Sequence, residues 1–262
     1  MNRWINRPRN QLILFFLLSF ILAWGTWIPA FLLPQFPNQL SLIGLFAPAI
    51  SALIVTALHQ GKKGVATLLG KYKIWRFGIK WYFLAIFLLP FIYILAILIN
   101  ALFFQYSLHN VLVGSPLYFI FAAFVWLMVI NSGEEIGWRG FALPTMLKSM
   151  KNSVWVNVVL GIIWGLWHLP IYLIPGQSAF PYPLFLILII GLTFIYTSLF
   201  IKTKGSLLPA VILHAGTDIG PRIFQIAHFT FSLWFTVDIL VILVAIVLFL
   251  RQKRASEIIP AT

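Results

Sequence analysis

The sequence predicts an all-α protein, a polytopic membrane helix bundle of about eight transmembrane helices with both termini cytoplasmic. Three observations carry that reading. Of 262 residues, 61% are hydrophobic and only 9% are charged, where a soluble domain carries about 25% charged residues; mean hydropathy is +0.99. Apolar runs of about 20 residues, the length that crosses a bilayer, recur along the whole chain. The short connections between them are basic on one side only: with eight spans, 17 of the 18 Lys and Arg residues fall on the side of the two termini, and Arg222 alone falls opposite. That asymmetry is the positive-inside bias, and seven spans would break it by splitting the basic ends.

Taken in order, the first run covers roughly 11–33 and follows Arg3, Arg7 and Arg9. It exceeds the roughly 7–15 apolar residues of a signal peptide and lacks a small-x-small cleavage site, so it reads as a retained span. The second covers roughly 38–58. The basic stretch 59–80 follows, mixing six Lys and Arg with Leu68, Leu69, Ile74, Trp75 and Phe77; it reads equally as a helix lying on anionic headgroups or as an ordinary basic loop. Further spans cover roughly 81–104, 116–138, 153–173, 183–201, 206–219 and 230–250. The seventh is short and turns polar near its end. With no soluble insertion and no internal repeat, residues 1–262 form a single integral membrane domain. The absence of a repeat removes support for an inverted-repeat transporter. The expected location is a bacterial plasma membrane.

Net charge is +13. Loop lysines and arginines holding their side of the membrane account for it, and nucleic acid is not an expected partner. The chain has no cysteine, which excludes disulfides, thiolate metal sites and a Cys nucleophile. It also has no His-Glu-x-x-His helix, no Gly-x-Ser-x-Gly elbow, no Gly-x-Gly-Asp setting and no Walker loop.

Against this apolar background, ionisable residues at membrane depth stand out: Glu134, Glu135, Arg139, His168, His214, Asp218 and Asp238. A carboxylate at mid-membrane costs roughly 2.5–3.5 kcal/mol on insertion scales, so each needs a partner or a task. The segment 131–141, NSGEEIGWRGF, holds two of the five acids. On a helix Glu135 and Arg139 share a face and can pair, while Glu134 points about 100° away and is left for something else. Gly133, Gly137 and Gly140 permit close helix approach. His168 lies in IIWGLWHLP, and His214 and Asp218 lie one helical turn apart in LPAVILHAGTD; Asp218 either bonds His214 structurally or fixes its tautomer. By count from span ends, Glu134 falls near the cytoplasmic end of the fourth span and His168 near the outer end of the fifth. They meet only if the fifth starts below the membrane surface or the fourth runs on past Arg139, which Pro144 permits. Asp238 is expected near the outer surface beside Arg222 or His228, with His59, His109 and His228 in loops.

Glu134-Glu135-x-x-x-Arg139, Trp164-x-x-x-His168 and His214-Ala-x-x-Asp218, in that order, resemble the motifs of the CPBP intramembrane metalloproteases, the CAAX-prenyl endopeptidase and bacteriocin-processing group also called the Abi family. The run LLGKYKIWRFGIKWYFLAIFLLP at 68–90 and Ala47-Pro48-Ala49 resemble it too. The family usually has Phe where Trp164 stands and Asn where Asp218 stands. The resemblance implies an intramembrane endopeptidase in which Glu134 is the general base, His168 holds the water, and His214 with residue 218 stabilises the oxyanion, with Glu135 and Arg139 in support. An ionised Asp218 cannot donate as Asn does; it is protonated, or it orients His214, or a metal sits there. Glu134, His168 and His214 would suit an open three-ligand zinc site, although water activated by glutamate without a tightly bound metal is preferred. The implied partner is a peptide or protein substrate, prenylated or membrane-bound. Two alternatives are a non-enzymatic membrane immunity or scaffold protein against a bacteriocin-like peptide, and a small transporter with a Glu134–His168 proton relay.

Overall fold

A computed structural model describes residues 6–33, 35–106, 108, 116–150, 152–173, 180–223 and 230–258. The chain is all-helical, with no strand among the described residues. The helices are α1 (Pro8–Leu32), α2 (Ser41–Gly70), α3 (Ile79–Phe103), α4 (Leu117–Glu135), a π-helical turn (Ile136–Ala142), α5 (Leu143–Ser149), α6 (Ser153–Trp167), α7 (Leu169–Leu173), α8 (Tyr182–Lys202), α9 (Leu208–Ile223) and α10 (Phe231–Ile258). Among the described residues, six helical runs are long and apolar enough to cross a membrane. The predicted fifth and seventh spans correspond to the shorter α6 and α9. Backbone bonding within each helix leaves little to satisfy in lipid, so Pro29, Pro48 and Pro90 are tolerated inside α1, α2 and α3.

Packed neighbours follow one another in a closed circuit: α1, α2, α4, α9, α3, α10, α8, α6 and back to α1, with the π turn touching α2, α6 and α8. Large apolar side chains such as Phe83, Phe87, Phe91, Phe121 and Trp126 face outward, where lipid would cover them. Inward, α2 and α4 are in close contact. A Cβ on Gly137 would lie 2.4–2.7 Å from Pro48, and one on Gly133 would lie 2.8 Å from the Leu45 carbonyl oxygen. The glycines of the acidic segment therefore serve close approach, as expected.

Two expectations are corrected. The stretch 59–80 is neither a separate surface helix nor a plain loop: α2 continues to Gly70 across a kink at Gly61, where φ is +63°, and ends in a short 3₁₀ turn, Lys71–Lys73. Only glycine adopts that angle without strain. His59 accordingly sits in α2, with Nδ1 3.2 Å from Asn6 Oδ1. His109, His228 and the side chain of Arg222 lie outside the described residues; Asp238 is buried in α10 at 2% exposure.

The depth mismatch between Glu134 and His168 disappears for a definite reason. The fourth span does not end at its acids; the helical run continues through the π turn to Ser149. Glu134 is thus fifteen residues before Ser149, and His168 fifteen residues after Ser153. At 1.5 Å per residue, both stand about 22 Å from the turn joining these helices. Since α6 has fifteen residues, about 22 Å, a helix of that length starting at one face of a bilayer core of about 30 Å would place His168 short of the other face. The turn before α9 also tucks inward. Thr203, Ser206 and Leu207 are fully buried, Ser206 Oγ donates to the Ile74 carbonyl, and Gly205 takes φ +84°. That starts α9 below the surface and brings His214 to the other two.

Candidate active site

Glu134 and Glu135 leave the end of α4 in different directions, as their 100° separation requires. Glu134 is 5% exposed. Its Oε2 accepts the Trp164 Nε1–H at 2.7 Å and lies 3.9 Å from His168 Nε2. His168 Nδ1 is 2.9 Å from the Trp164 carbonyl oxygen. A carbonyl only accepts, so Nδ1 carries a proton, and in the neutral form the ring turns its Nε2 lone pair towards Glu134. A separation of 3.9 Å between two acceptors is too long for a direct bond and suits a bridging donor.

Glu135 serves a second group. Its Oε1 accepts from Arg139 at 2.8 Å, with both side chains fully buried, and also lies 2.8 Å from His214 Nδ1. Arg139 in turn is clamped between aromatic faces, 3.9 Å from Trp164 and 3.8 Å from Tyr196. Such contacts stabilise a desolvated cation by about 2 kcal/mol. The π turn, a widening often found at functional sites, carries Arg139 into this position. Trp164 joins the two groups: its ring meets His168 edge-on at 5.9 Å and His214 at 5.5 Å.

The expected pairing of His214 with Asp218 is corrected in part. The carboxylate fixing His214 Nδ1 is Glu135, whereas Asp218 Oδ2 accepts from Asn131 Nδ2 at 2.8 Å. Sequence reasoning passed over Asn131, though a polar residue four before Glu135 in an apolar helix was a signal. Trp164 stood out in the sequence as a motif position but not as a donor to Glu134, and nothing in span six pointed to Tyr196.

As for a metal, no three His, Cys, Asp or Glu side chains among the described residues gather closely enough to hold one. Both imidazoles engage Nδ1, His168 with the Trp164 carbonyl and His214 with Glu135, so Nε2 is the nitrogen each would offer to a metal.

The Trp164 bond is open to test. Trp164→Phe keeps a ring against Arg139 but removes the donor to Glu134. A hydrogen bond to a charged group is worth about 1.5–3 kcal/mol, so kcat is expected to fall about tenfold or more, with KM little changed. Steady-state kinetics on the purified variant measure this.

The membrane bundle thus holds a buried glutamate facing one imidazole and a second imidazole bonded to a buried ion pair, groups of the kind acid–base hydrolysis uses. Comparison with known proteins agrees. A family model described as type II CAAX prenyl endopeptidase Rce1-like matches residues 114–220. CAAX prenyl protease 2 of Methanococcus maripaludis is 26% identical over 242 residues, covering 83% of this chain and 86% of that protein. These likenesses support a multi-pass membrane protease similar to the CAAX prenyl endopeptidases.

Proposed function

We propose that the protein cleaves a peptide bond with a water activated by Glu134, and that its substrate is a membrane-bound peptide or protein with a prenylated CAAX ending, as the relative's name suggests for that protein. The observation that carries this is the 3.9 Å gap between Glu134 Oε2 and the acceptor nitrogen of His168. A water there gives one hydrogen to each. Glu134 takes the first proton as the water oxygen attacks the scissile carbonyl carbon, and the C=O electron pair moves to oxygen. His214 faces the developing oxyanion through Nε2–H in its doubly protonated form, whose charge the Glu135 carboxylate balances. Glu134 then passes its proton to the leaving amine as the C–N bond breaks. General acid–base help of this kind contributes about 10²–10⁴-fold. A donor aimed at an oxyanion in a dry site adds about 10²–10³-fold.

In this scheme Asp218 positions the site together with Asn131. Asp218→Asn keeps an oxygen acceptor for Asn131 and adds a donor, so most activity is expected to persist. Asp218→Leu removes both and is expected to cost about 10²-fold in kcat. Equal losses in the two variants would reject a polar role at 218.

The decisive assay incubates purified protein in detergent with prenylated and unprenylated CAAX peptides in ¹⁸O water. Cleavage with one ¹⁸O in the new carboxyl group, by mass spectrometry, supports the reading. No cleavage of any peptide would overturn it. We also read the basic end of the bundle as cytoplasmic, from the charge bias.

A further inference from the structure

Away from the catalytic centre, at the basic end of the bundle, a pocket of about 350 Å³ opens between the start of α1, the second half of α2 and the π turn with α5. Its character differs from the apolar grooves elsewhere on the surface. Lys71 and Lys148 both line it, with Gln11, Gln60, Thr67 and His59 among the neutral polar groups, and no Asp or Glu lines it. Neither lysine makes an ion pair among the described residues. Lys71 is half-buried and its Nζ donates to the Gly140 carbonyl. Two ammonium groups drawn to one cavity, with no acid to balance them, repel each other. Among the described residues no carboxylate lines the pocket to balance them, which leaves that role to a bound anion.

We propose that this pocket binds a phosphate-bearing anion, with Lys71 and Lys148 as the charged contacts and the amide and hydroxyl groups as further donors. The chemistry fits a lysine pair acting as point charges on phosphate oxygens. Two sources offer that group: the headgroup of an anionic phospholipid such as phosphatidylglycerol, and free inorganic phosphate. The pocket touches Gly140, next to Arg139, so its occupant would sit behind the turn that holds the Glu135–Arg139 pair. Nothing in this proposal depends on peptide cleavage.

The test is native mass spectrometry of the full-length protein in a neutral detergent. Phosphatidylglycerol, phosphatidylcholine and inorganic phosphate are each titrated in. The wild type is expected to retain phosphatidylglycerol or inorganic phosphate, and not phosphatidylcholine. Lys71→Gln/Lys148→Gln is expected to lower that retention about tenfold or more. Lys62→Gln/Lys63→Gln, on the exposed face of α2 outside the pocket, is expected to leave it unchanged. Lys148→Gln alone, at an exposed position, gives a variant whose folding is not in question and should show part of the loss. Competition of inorganic phosphate with phosphatidylglycerol for the same lysines identifies the free ion as a ligand; retention of the lipid alone identifies the headgroup. Equal loss in both lysine pairs, or loss in neither, overturns the proposal.

Discussion

Replacing Glu134 by Gln is expected to lower kcat on the order of 10³-fold while leaving the fold intact. The amide is nearly isosteric, and its oxygen can still accept the Trp164 N–H that Glu134 Oε2 accepts at 2.7 Å. What it loses is the ability to take a proton. Helix content by circular dichroism and the melting temperature should match the wild type within error. Substrate should still bind, so the defect appears in kcat rather than KM. Activity near the wild-type level in Glu134→Gln would reject the general-base role outright. Glu134→Ala is the less clean variant, because it also strands the buried indole N–H.

The second large effect is structural. Arg139→Leu is expected to destabilise the protein by about 3–5 kcal/mol, because it removes the fully buried guanidinium from Glu135 and leaves that carboxylate to His214 alone. Both partners are at 0% exposure, and the bond between them is 2.8 Å. The loss should exceed that of Glu135→Leu/Arg139→Leu together, since removing both charges removes the uncompensated one. Activity should not follow stability. The double variant lacks the carboxylate 2.8 Å from His214 Nδ1, so it should refold and still turn over slowly. Thermal unfolding in detergent, paired with single-turnover cleavage, separates the two. A single variant as stable as the double would show that Glu135 finds another partner.

Much of this protein is local information. Bilayer crossing depends on the summed hydropathy of about 20 consecutive residues, and sidedness on nearby Lys and Arg. The all-helical membrane bundle was therefore readable from the chain, six of its described helices being long and apolar enough to cross a membrane, as was the singling out of Glu134, Glu135, Arg139, His168 and His214 against an apolar background. The i, i+4 pairing of Glu135 with Arg139 was equally readable, because helix geometry fixes it. Where the reasoning fell short, the deciding event was a choice between partners far apart in sequence. Asp218 is four residues from His214, yet the carboxylate found on His214 Nδ1 is Glu135, 79 positions away, while Asp218 takes Asn131, 87 positions away.

Helix ends behaved the same way. The sequence makes EEIGWRG look like the end of a span, since three charged residues in a row of seven should halt a lipid-facing helix. The tertiary structure buries those charges against Trp164, Tyr196 and His214 instead, and the helix runs on through a π turn. Composition and hydropathy alone determined a polytopic membrane bundle and the handful of residues able to do chemistry in it. Only packing decided their depth, their partners and which imidazole meets which carboxylate, because a buried polar group bonds whatever donor or acceptor the neighbouring helices bring within 3 Å or so.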